Sequence, residues 1–446
     1  MLLEFKVSNY RSVGEEQTIS LIPAPKQKDH LENILSKGRY QALNAIAFYG
    51  PNAGGKSNIL RAMSLLDRLV HNSARTSSTT SLPYDPFLLK EGWETKPTSF
   101  EISFVIEEYR YRYGLEFTAI EIKKEWLFRK SLGREVSLFE REGEIIDVSS
   151  GFNGSKKIID AAIEATRINA LFLSTCDILN VEEAKSIMQW FKYFIMIDGL
   201  NTEDDVQTVS LSANGSYKDK ISQYLSSIGL GLYDIEVTTK DFEESQLPDS
   251  LDENMRVQLS RQLMGTKSYS VNALHQTYKA DGSLSDKLVN WDFSERESAG
   301  TQKAFKLSGP VLWALANGGV LIIDEIEAAL HPIMTLTTIE LFLNKVSNPN
   351  NAQLIFATHD TNLLSYSNLR RDQICFAEKN RWESTEIYSL SDFVYFGEKN
   401  GEFKSEKERP DTDKEKRYFE GRYGAIPALG NFKSFMQNTQ WQKKGN

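Results

Sequence analysis

The sequence predicts an α/β fold with an added antiparallel β lobe and a mostly helical insertion. Three patterns carry this prediction. A buried strand runs into a glycine-rich loop and a helix near residue 50, strand patterns are dense over residues 96–150, and helix and strand patterns alternate again from about residue 286. Alternation of strands and helices around a glycine-rich turn is typical of α/β folds with a parallel sheet.

Length, charge and cysteine content narrow the class of protein. The chain of 446 residues can hold two or three domains. Its net charge of −9 argues against a nucleic-acid-coating protein, although a local basic patch could still bind nucleic acid. No stretch reaches the roughly 18 apolar residues of a membrane span, and the N-terminus does not resemble a signal peptide. Two cysteines are too few for a disulfide framework, so we expect a cytoplasmic protein with no membrane partner.

Periodicity divides the chain into four regions. Strands are expected at residues 2–8 and 16–22 and at "NAIAFY", followed by a helix from about Ser57 to Val70. Residues 1–95 and 286–395 are predicted to form two halves of one core, and residues 96–150 form an antiparallel meander. Residues 151–285 are predicted to be a helical insertion without coiled-coil heptads. Residues 396–446 are predicted to be a charged linker and tail.

The stretch "GPNAGGKSN", residues 50–58, carries the first chemical signal. Backbone N–H groups in such a loop, together with the helix N-terminus behind it, hold phosphates, and glycines are needed where a Cβ would block the approach. In this pattern Lys56 reaches the β- and γ-phosphates of a nucleotide, and the Ser57 hydroxyl ligates Mg²⁺. The preceding strand and following helix are the context that this pattern requires.

A second signal is the stretch "GGVLIIDEIEAALHP", residues 318–332. Its apolar run ends in two adjacent carboxylates, as expected for a buried strand that leads into a polar site. Asp324 suits the coordination shell of Mg²⁺, and Glu325 is placed to act as the general base that orients an attacking water. Acidic residues also suit the start of a helix, but the phosphate loop elsewhere in the chain favours the catalytic role.

Two further stretches complete the pattern. "ESAGTQKAF", residues 297–305, opens a helix with small residues, so that Ser298 and Gly300 can present N–H groups to a second phosphate site. Two facing chains could place this helix and the phosphate loop on one nucleotide. "QLIFATHD", residues 353–360, is a buried strand that ends at His359, which is placed to contact a γ-phosphate.

The order of these motifs resembles that of the ABC-type ATPases, including the SMC and RecF-like group, with their Walker A, signature, Walker B and switch histidine. The loop with Gly50, Asn52, Gly54, Gly55 and Asn58 is similar to their Walker A. "FKVSNYRS" is similar to their first strand, where the positions of Arg11 and Ser12 lie near the nucleotide. "SAGTQ" keeps only the serine and one glycine of the common signature, and His331 stands where many members have an interface aspartate. The resemblance implies ATP and Mg²⁺ as ligands and a functional homodimer or higher homo-oligomer.

A narrower resemblance covers nearly the whole chain. The stretches "YDPFLL", "YRYGLEF", "DEIEAALHP", "FATHD", "LRRDQICFAEK" and "GRYGAIPAL" look like the Rlo-type and abortive-infection ATPases, relatives of the OLD ATPases of bacterial phage defence. OLD-type proteins usually carry a Toprim nuclease, but the roughly 50 residues after "SLSDF" are too few for such a domain. The resemblance therefore implies a separately encoded effector, such as a Toprim, Rlo-type or other nuclease.

Three functions compete at this point. The leading hypothesis is an ATP-hydrolysing defence switch that dimerises around ATP and controls an effector. The alternative is an SMC- or RecF-like repair ATPase acting directly on DNA, which the absent coiled coil and the acidic charge disfavour. A scaffold that binds ATP without hydrolysing it is disfavoured by the intact Lys56, Asp324 and Glu325. A GTPase is disfavoured because the chain lacks an Asn-Lys-x-Asp motif.

Overall fold

The computed structural model describes residues 1–198, 206–213, 215, 217–247, 250–366, 368–399, 402–407 and 412–427. The chain divides into two compact units. We call Leu2–Met188 together with the described residues from Ala357 onward the P-loop unit, and Gln189–Phe356, with Met1, the carboxylate unit.

The strands are β1 Leu2–Ser8, β2 Gln17–Ser20, β3 Ile34–Lys37, β4 Tyr40–Leu43, β5 Ala45–Tyr49, β6 Thr98–Ile106, β7 Tyr109–Phe117, β8 Ile122–Lys130, β9 Glu135–Glu142, β10 Ile145–Val148, β11 Phe194–Asp198, β12 Asp234–Asp241, β13 Lys267–Tyr278, β14 Leu284–Asp292, β15 Val320–Asp324, β16 Gln353–Ala357, β17 Ile374–Lys379, β18 Thr385–Ser389, β19 Val394–Lys399 and β20 Glu402–Lys407. The helices are α1 Lys56–Asn72, α2 Lys156–Ala165, α3 Phe172–Ile178, α4 Glu182–Phe191, α5 Val206–Ala213, α6 Lys218–Ser227, α7 Glu253–Leu263, α8 Phe293–Arg296, α9 Ala299–Asn317, α10 Pro332–Leu343, α11 Asn362–Tyr366 and α12 Lys414–Phe419.

The largest sheet of the P-loop unit has seven antiparallel strands in the order β10-β9-β8-β7-β6-β1-β2. The predicted meander over residues 96–150 is therefore present, and it continues into the first two strands of the chain. Buried and partly exposed residues alternate along much of β1, because a sheet that packs on one face needs apolar side chains at every second position. Phe5 and Phe100 pair across β1 and β6 with ring centroids 6.0 Å apart.

Basic residues on this sheet are engaged by carboxylates. Arg112 donates to Glu101 at 2.7 Å and to Glu135 at 2.7 Å. Deeper in the sheet, the fully buried Glu125 accepts hydrogen bonds from the Tyr113 hydroxyl and from two backbone N–H groups of α3. Burial raises the pKa of the Glu125 carboxyl, and the nearby Arg141 guanidinium opposes that rise. These contacts support a structural role for the charges of this sheet.

The phosphate loop of the P-loop unit follows β5, which pairs in parallel with β17, and β17 pairs antiparallel with β18. All five residues of β5 are buried, as expected for a strand in the interior of an α/β fold. The predicted helix after the loop is confirmed as α1. Its buried apolar residues recur at helical spacing and face the interior: Ile59, Leu60, Met63, Leu66, Leu69 and Val70.

The carboxylate unit contains two sheets. The first has β15 between β11 and β16, with all three strands parallel. The second is the antiparallel sheet β12-β13-β14. A buried cluster joins the second sheet to α9 and to helices α5 and α6. Its members are Val209, Ile221, Leu225, Ile235, Ala273, Phe293, Ala304 and Phe305.

Two regions differ from their predicted secondary structure. Residues 151–285 contain the helices α2 to α7, but they also contain β11, β12, β13 and the start of β14. The linker predicted from residue 396 onward instead contributes to the hairpin β19–β20 and then forms α12, while residues 400–401, 408–411 and 428–446 lie outside the described residues. Charge content alone misled the prediction here, because β19 and β20 pair through their backbones. Among the described helices, none is long and apolar enough to cross a membrane.

Candidate functional site

The phosphate loop is held in a conformation that only glycine can supply at one position. Gly55 is the N-cap of α1 with φ of 106°. A Cβ on Gly55 would also lie 2.0 Å from the Thr385 hydroxyl oxygen. The left-handed backbone turns the chain into α1, whose first residue is Lys56, so the helix N-terminus opens directly from the loop.

Lys56 is buried, with 5% of its surface exposed. Its ammonium donates to the carbonyl oxygens of Gly50 at 2.8 Å and Pro51 at 3.2 Å. The carbonyl oxygens of the loop thus hold the cation against the loop. A lysine ammonium fixed in this way provides positive charge beside the loop N–H groups, which is the arrangement that binds a phosphate chain.

A series of hydrogen bonds between polar side chains links the loop to the rest of the P-loop unit. Asn58 Nδ2 donates to Ser12 Oγ at 2.8 Å, and Ser12 Oγ lies 2.9 Å from Thr385 Oγ1. Thr385 Oγ1 donates to the Gly54 carbonyl at 3.1 Å, so the Ser12 hydroxyl is the donor to Thr385. These hydrogen bonds connect the stretch after β1, the loop and β18. They bring Ser12 and Asn58, two of the predicted site residues, into contact.

Thr385 is the residue in this series of hydrogen bonds that was not predicted from the sequence. It is fully buried, and its backbone N–H donates to the Ser12 carbonyl at 2.8 Å. A single threonine in a strand gives no signal of its own in the sequence. The partner residue of the loop can be identified only after β18 is placed beside it.

Arg11 lies next to Ser12 and is fixed from the other side. Its Nε donates to Asp85 at 2.9 Å, and its backbone N–H donates to the Asp85 carbonyl at 2.7 Å. Arg11 has a left-handed φ of 50°. Because Asp85 belongs to the "YDPFLL" stretch, this contact gives that stretch a physical role: it orients the guanidinium of Arg11.

His359 lies at the same cavity as the phosphate loop. The Thr358 N–H donates to the Phe48 carbonyl at 3.0 Å, so the chain before His359 runs beside β5. The cavity has a volume of about 630 Å³, and the loop residues 50–54, Thr358 and His359 line it. An exposed imidazole at the loop can donate a hydrogen bond to a phosphate oxygen.

The two predicted acidic residues lie at the carboxyl end of β15 in the carboxylate unit. All five residues of β15 are buried, and Asp324 is its last residue. Glu325 follows with a left-handed φ of 50°, a conformation that costs a non-glycine residue free energy and recurs at functional sites. Asp198, the last residue of the parallel strand β11, is the register partner of Asp324.

The sequence interpretation missed Asp198 because residues 151–285 were read as helical. The stretch "FIMID" is an apolar strand ending in aspartate, with the same form as "VLIID" in β15. The recurrence of an apolar run that ends in aspartate could have identified Asp198 from the sequence. Two strands thus bring aspartates to one edge of the parallel sheet.

Two buried lysines on α9 accompany these acidic residues. Lys303 and Lys306 have exposed fractions of only 5% and 3%. Burial, and secondly the charge of Lys306, lower the pKa of Lys303 to about 8, and the charges of Asp198 and Glu325 oppose this shift. The helix that follows the signature thus brings buried positive charge into the field of the acidic residues.

The signature residues open α9 with a capped N-terminus. Ser298 is the N-cap, and its side chain accepts from the Thr301 N–H at 3.2 Å. Ser298 and Ala299 are exposed, while a Cβ on Gly300 would lie 2.9 Å from the Ala329 carbonyl. Thr301 and Gln302 both stabilise this turn. The Thr301 hydroxyl lies 2.9 Å from the Ser298 hydroxyl, and the Gln302 amide donates to the Ser294 and Glu297 carbonyls.

The residue before the signature connects it to the sheet β12-β13-β14. Glu297 Oε1 accepts from Trp291 Nε1 at 2.8 Å and from His275 Nε2 at 2.8 Å. The rings of His275 and Trp291 pack with centroids 4.2 Å apart. The sequence interpretation did not identify these three residues. They fix the start of the signature to a neighbouring sheet.

His331 caps α10. Its Nδ1 accepts a hydrogen bond from the Ile333 N–H at 3.3 Å, which is the role an aspartate side chain commonly has at a helix N-terminus.

The structure groups the predicted site residues in two sets. The P-loop unit contains Arg11, Ser12, Gly50, Asn52, Gly54, Gly55, Lys56, Ser57, Asn58 and His359. The carboxylate unit contains Ser298, Gly300, Asp324 and Glu325. Together, the P-loop with its fixed lysine and the strand-end carboxylates in this motif order define the class of an ABC-type P-loop ATPase domain.

The chain belongs to the family described as "AAA domain, putative AbiEii toxin, Type IV TA system", which matches residues 45–155 and 216–365. The matched ranges cover more than half of the chain. They contain the phosphate loop, the signature stretch that begins at Ser298, the carboxylates Asp324 and Glu325 at the end of β15, and His359 after β16. No curated protein matches the chain.

Solved structures of the recombination mediator protein RecF of the RecFOR pathway are similar to the chain in part. The RecF-ATPrS structure has a TM-score of 0.31 and 14% identity, covering 87% of this chain and 98% of that chain. The RecF-ATP structure has a TM-score of 0.29 and 14% identity, covering 80% of this chain and 93% of that chain.

Proposed function

We propose that the protein hydrolyses ATP. The observation that carries this proposal is the loop of residues 50–58, with its buried lysine and with His359 at the same cavity. The N–H groups of the loop and Lys56 bind the phosphates, and His359 donates to the γ-phosphate. Glu325 acts as the general base for the attacking water.

We propose that ATP binds together with Mg²⁺. In this proposal the Ser57 hydroxyl and the Asp324 carboxylate supply hard oxygen ligands of the kind that Mg²⁺ prefers, and ATP phosphates and water complete its shell. Among the described residues, no group of three or more histidine, cysteine, aspartate or glutamate side chains could hold a metal. The ion would neutralise charge on the phosphates.

The ATPase proposal is tested by phosphate release from purified protein with ATP. We expect turnover with Mg²⁺ and its loss when EDTA removes the ion. Asp324→Asn should lower the rate strongly at all Mg²⁺ concentrations, while the exposed-surface variant Glu340→Gln should behave as wild type. Turnover that survives both EDTA and Asp324→Asn would exclude this proposal.

We further propose that the ATPase is a switch in bacterial phage defence. In this proposal two chains enclose ATP between the P-loop of one and the signature of the other, and the dimer controls a separately encoded effector such as a nuclease. The exposed Ser298 and Ala299 at the N-terminus of α9 support a contact to another chain. The description of the family names a putative toxin of a type IV TA system, and this supports a role beside a separately encoded partner protein.

Cells carrying the gene with its neighbours test the switch. We expect phage plating to fall in cells with the wild-type gene and to recover with Lys56→Ala or Asp324→Asn. Phage resistance that survives both substitutions would overturn the switch. Survival after DNA damage that depends on Lys56, without any effect on phage, would favour the repair ATPase instead.

A further inference from the structure

The stretch "GRYGAIP", residues 421–427, has no role in the function proposed so far. Together with α12 it forms what we call the C-terminal segment, residues 413–427. This segment does not extend away from the P-loop unit. It packs against the strands beside the phosphate loop.

One end of the C-terminal segment is anchored to β17 and β18. Glu378 Oε2 accepts from the Ala425 N–H at 2.7 Å. The Tyr388 hydroxyl lies 3.0 Å from Glu378 Oε1 and 2.8 Å from the Tyr423 carbonyl, and it donates to one of them at a time. Gly424 has φ of 66°, and a Cβ there would lie 2.7 Å from the Tyr388 hydroxyl, which explains the glycine.

Aromatic packing fixes the middle of the segment. Tyr418 stacks on Phe376 of β17 with centroids 5.8 Å apart and an interplanar angle of 15°. Tyr423 is fully buried against Phe376 and Phe393. The Tyr418 hydroxyl donates to the Ala425 carbonyl at 2.7 Å, closing the segment on itself. Phe419 follows Tyr418 directly, so the contacts of Tyr418 fix the backbone position from which the Phe419 side chain extends.

The other end of the segment contacts the chain that follows His359. Glu415 on α12 accepts from the Thr361 hydroxyl at 2.9 Å and from the Ser365 hydroxyl at 3.4 Å. The C-terminal segment thus connects the His359 side of the loop to the β17 side.

The segment forms a wall of the cavity that holds the phosphate loop. Residues 50–54 and His359 line this cavity, and so do Tyr418, Phe419, Ile426 and Pro427. Phe419 is 67% exposed although its neighbour Tyr418 is buried. A cavity of about 630 Å³ that is lined both by the phosphate loop and by aromatic rings suits a ligand that carries both an anionic chain and a flat ring.

We propose that the C-terminal segment is part of the nucleotide site, and that Phe419 contacts the base or ribose of the ATP whose phosphates the loop holds. This inference rests on the proposed ATP binding. Phe419 is a specificity-determining residue in it, because a ring contact distinguishes a nucleotide from a bare phosphate chain. Tyr388, Glu378 and Gly424 are positioning residues that hold the ring at the cavity.

The test compares ATP with inorganic tripolyphosphate by calorimetric titration, both with Mg²⁺. Aromatic stacking on a base contributes about 1–3 kcal/mol by alanine substitution, so Phe419→Ala should weaken ATP binding by about 5- to 160-fold. It should leave tripolyphosphate binding unchanged, and Phe419→Trp should restore ATP binding. Trp382→Ala, at another exposed aromatic residue of the same unit, is the matched control. Tyr388→Phe should weaken ATP binding in the same direction by loosening the segment.

The outcomes separate this inference from the proposed function. If Lys56→Ala weakens both ligands and Phe419→Ala binds ATP as wild type does, the inference is wrong while the ATP site stands. Equal loss of ATP and tripolyphosphate in Phe419→Ala would also overturn it, since the ring would then act on the loop and not on the base. Wild-type binding of both ligands by Lys56→Ala would refute the proposed function itself.

Discussion

The P-loop unit and the carboxylate unit present their site residues in opposite ways. In the P-loop unit, Lys56 is bonded to loop carbonyls, and a chain of hydrogen bonds through Asn58, Ser12 and Thr385 ends on the loop itself. In the carboxylate unit, two lysines are buried together on α9, in the field of Asp198 and Glu325. The first arrangement bonds its cation to the carbonyl oxygens of the loop that carries it, and the second places buried cations of a helix in the field of carboxylates at strand ends.

This difference indicates a division of labour. A loop whose donors and cation are already placed loses little free energy to reorganisation when an anion binds. Buried like charges are costly, and perturbed groups of this kind cluster at functional sites. We therefore propose that the P-loop unit binds the phosphates and that the carboxylate unit supplies hydrolysis and its control.

The largest expected effect is the recovery of ATP hydrolysis when two inactive variants are mixed, and it tests the division of roles between the two units. Lys56→Ala removes the phosphate cation, and Ala299→Glu places a carboxylate at the exposed start of α9, where an acid suits the helix but repels phosphate. Ala299 avoids the close Ala329 carbonyl that limits Gly300. In a mixed dimer one composite site carries both lesions and the other carries neither. Phosphate release should partly return.

Subunit exchange must be followed in the same samples by native mass spectrometry. Mixed dimers that release no phosphate would mean that each chain hydrolyses ATP alone. Signature residues would then have no role across chains, whereas the loop assignment would be unaffected.

A moderate effect is expected at Thr385, which sharpens the account of the P-loop unit. Thr385→Val keeps the shape of the side chain but removes the hydroxyl between Ser12 and the Gly54 carbonyl. A lost hydrogen bond costs about 0.5–1.5 kcal/mol, so the dissociation constant for ATP should rise about 2- to 12-fold. Thr385→Ser retains the hydroxyl and should bind as wild type does. Calorimetric titration of both variants would reveal equal affinities if the chain of hydrogen bonds were irrelevant to binding.

The last expected effect is on stability, not on binding or turnover, and concerns the pH dependence of stability in the carboxylate unit. Lys303 has a pKa of about 8 when folded, below the ordinary lysine value of 10.5. Between these two pH values the unfolded chain binds more protons, so the free energy of unfolding should rise with pH in that window. The rise should reach at most about 3 kcal/mol, and Lys303→Met should remove it.

Urea unfolding at pH 7.5 and at pH 9.5 measures this difference, with the exposed-lysine variant Lys345→Met as control. We expect wild type and the control to gain stability relative to Lys303→Met as the pH rises. Identical pH dependence in all three proteins would show that the Lys303 ammonium is not penalised by its surroundings.

Local motifs in the sequence predicted the loop, α1, β15 and the position of His359, because each depends on residues adjacent in the chain. Thr385 and Asp198 were missed for a different reason. Each becomes part of a site only through strand pairing: Thr385 through β18, and Asp198 through its register with Asp324. The C-terminal segment was predicted as a linker and tail since its charges mask the buried Tyr418 and Tyr423. The spacing of residues along the chain does not determine which distant strands pair or which distant side chains pack together.

The most direct test of the division of labour is one paired measurement on Lys56→Ala and Glu325→Gln. ATP binding by titration and phosphate release are recorded for both variants beside wild type. We predict that Lys56→Ala loses binding and turnover together, while Glu325→Gln binds ATP as tightly as wild type and releases phosphate about 10²- to 10⁴-fold more slowly. Glu325→Gln protein that hydrolyses ATP at the wild-type rate, or that no longer binds it, would contradict the account.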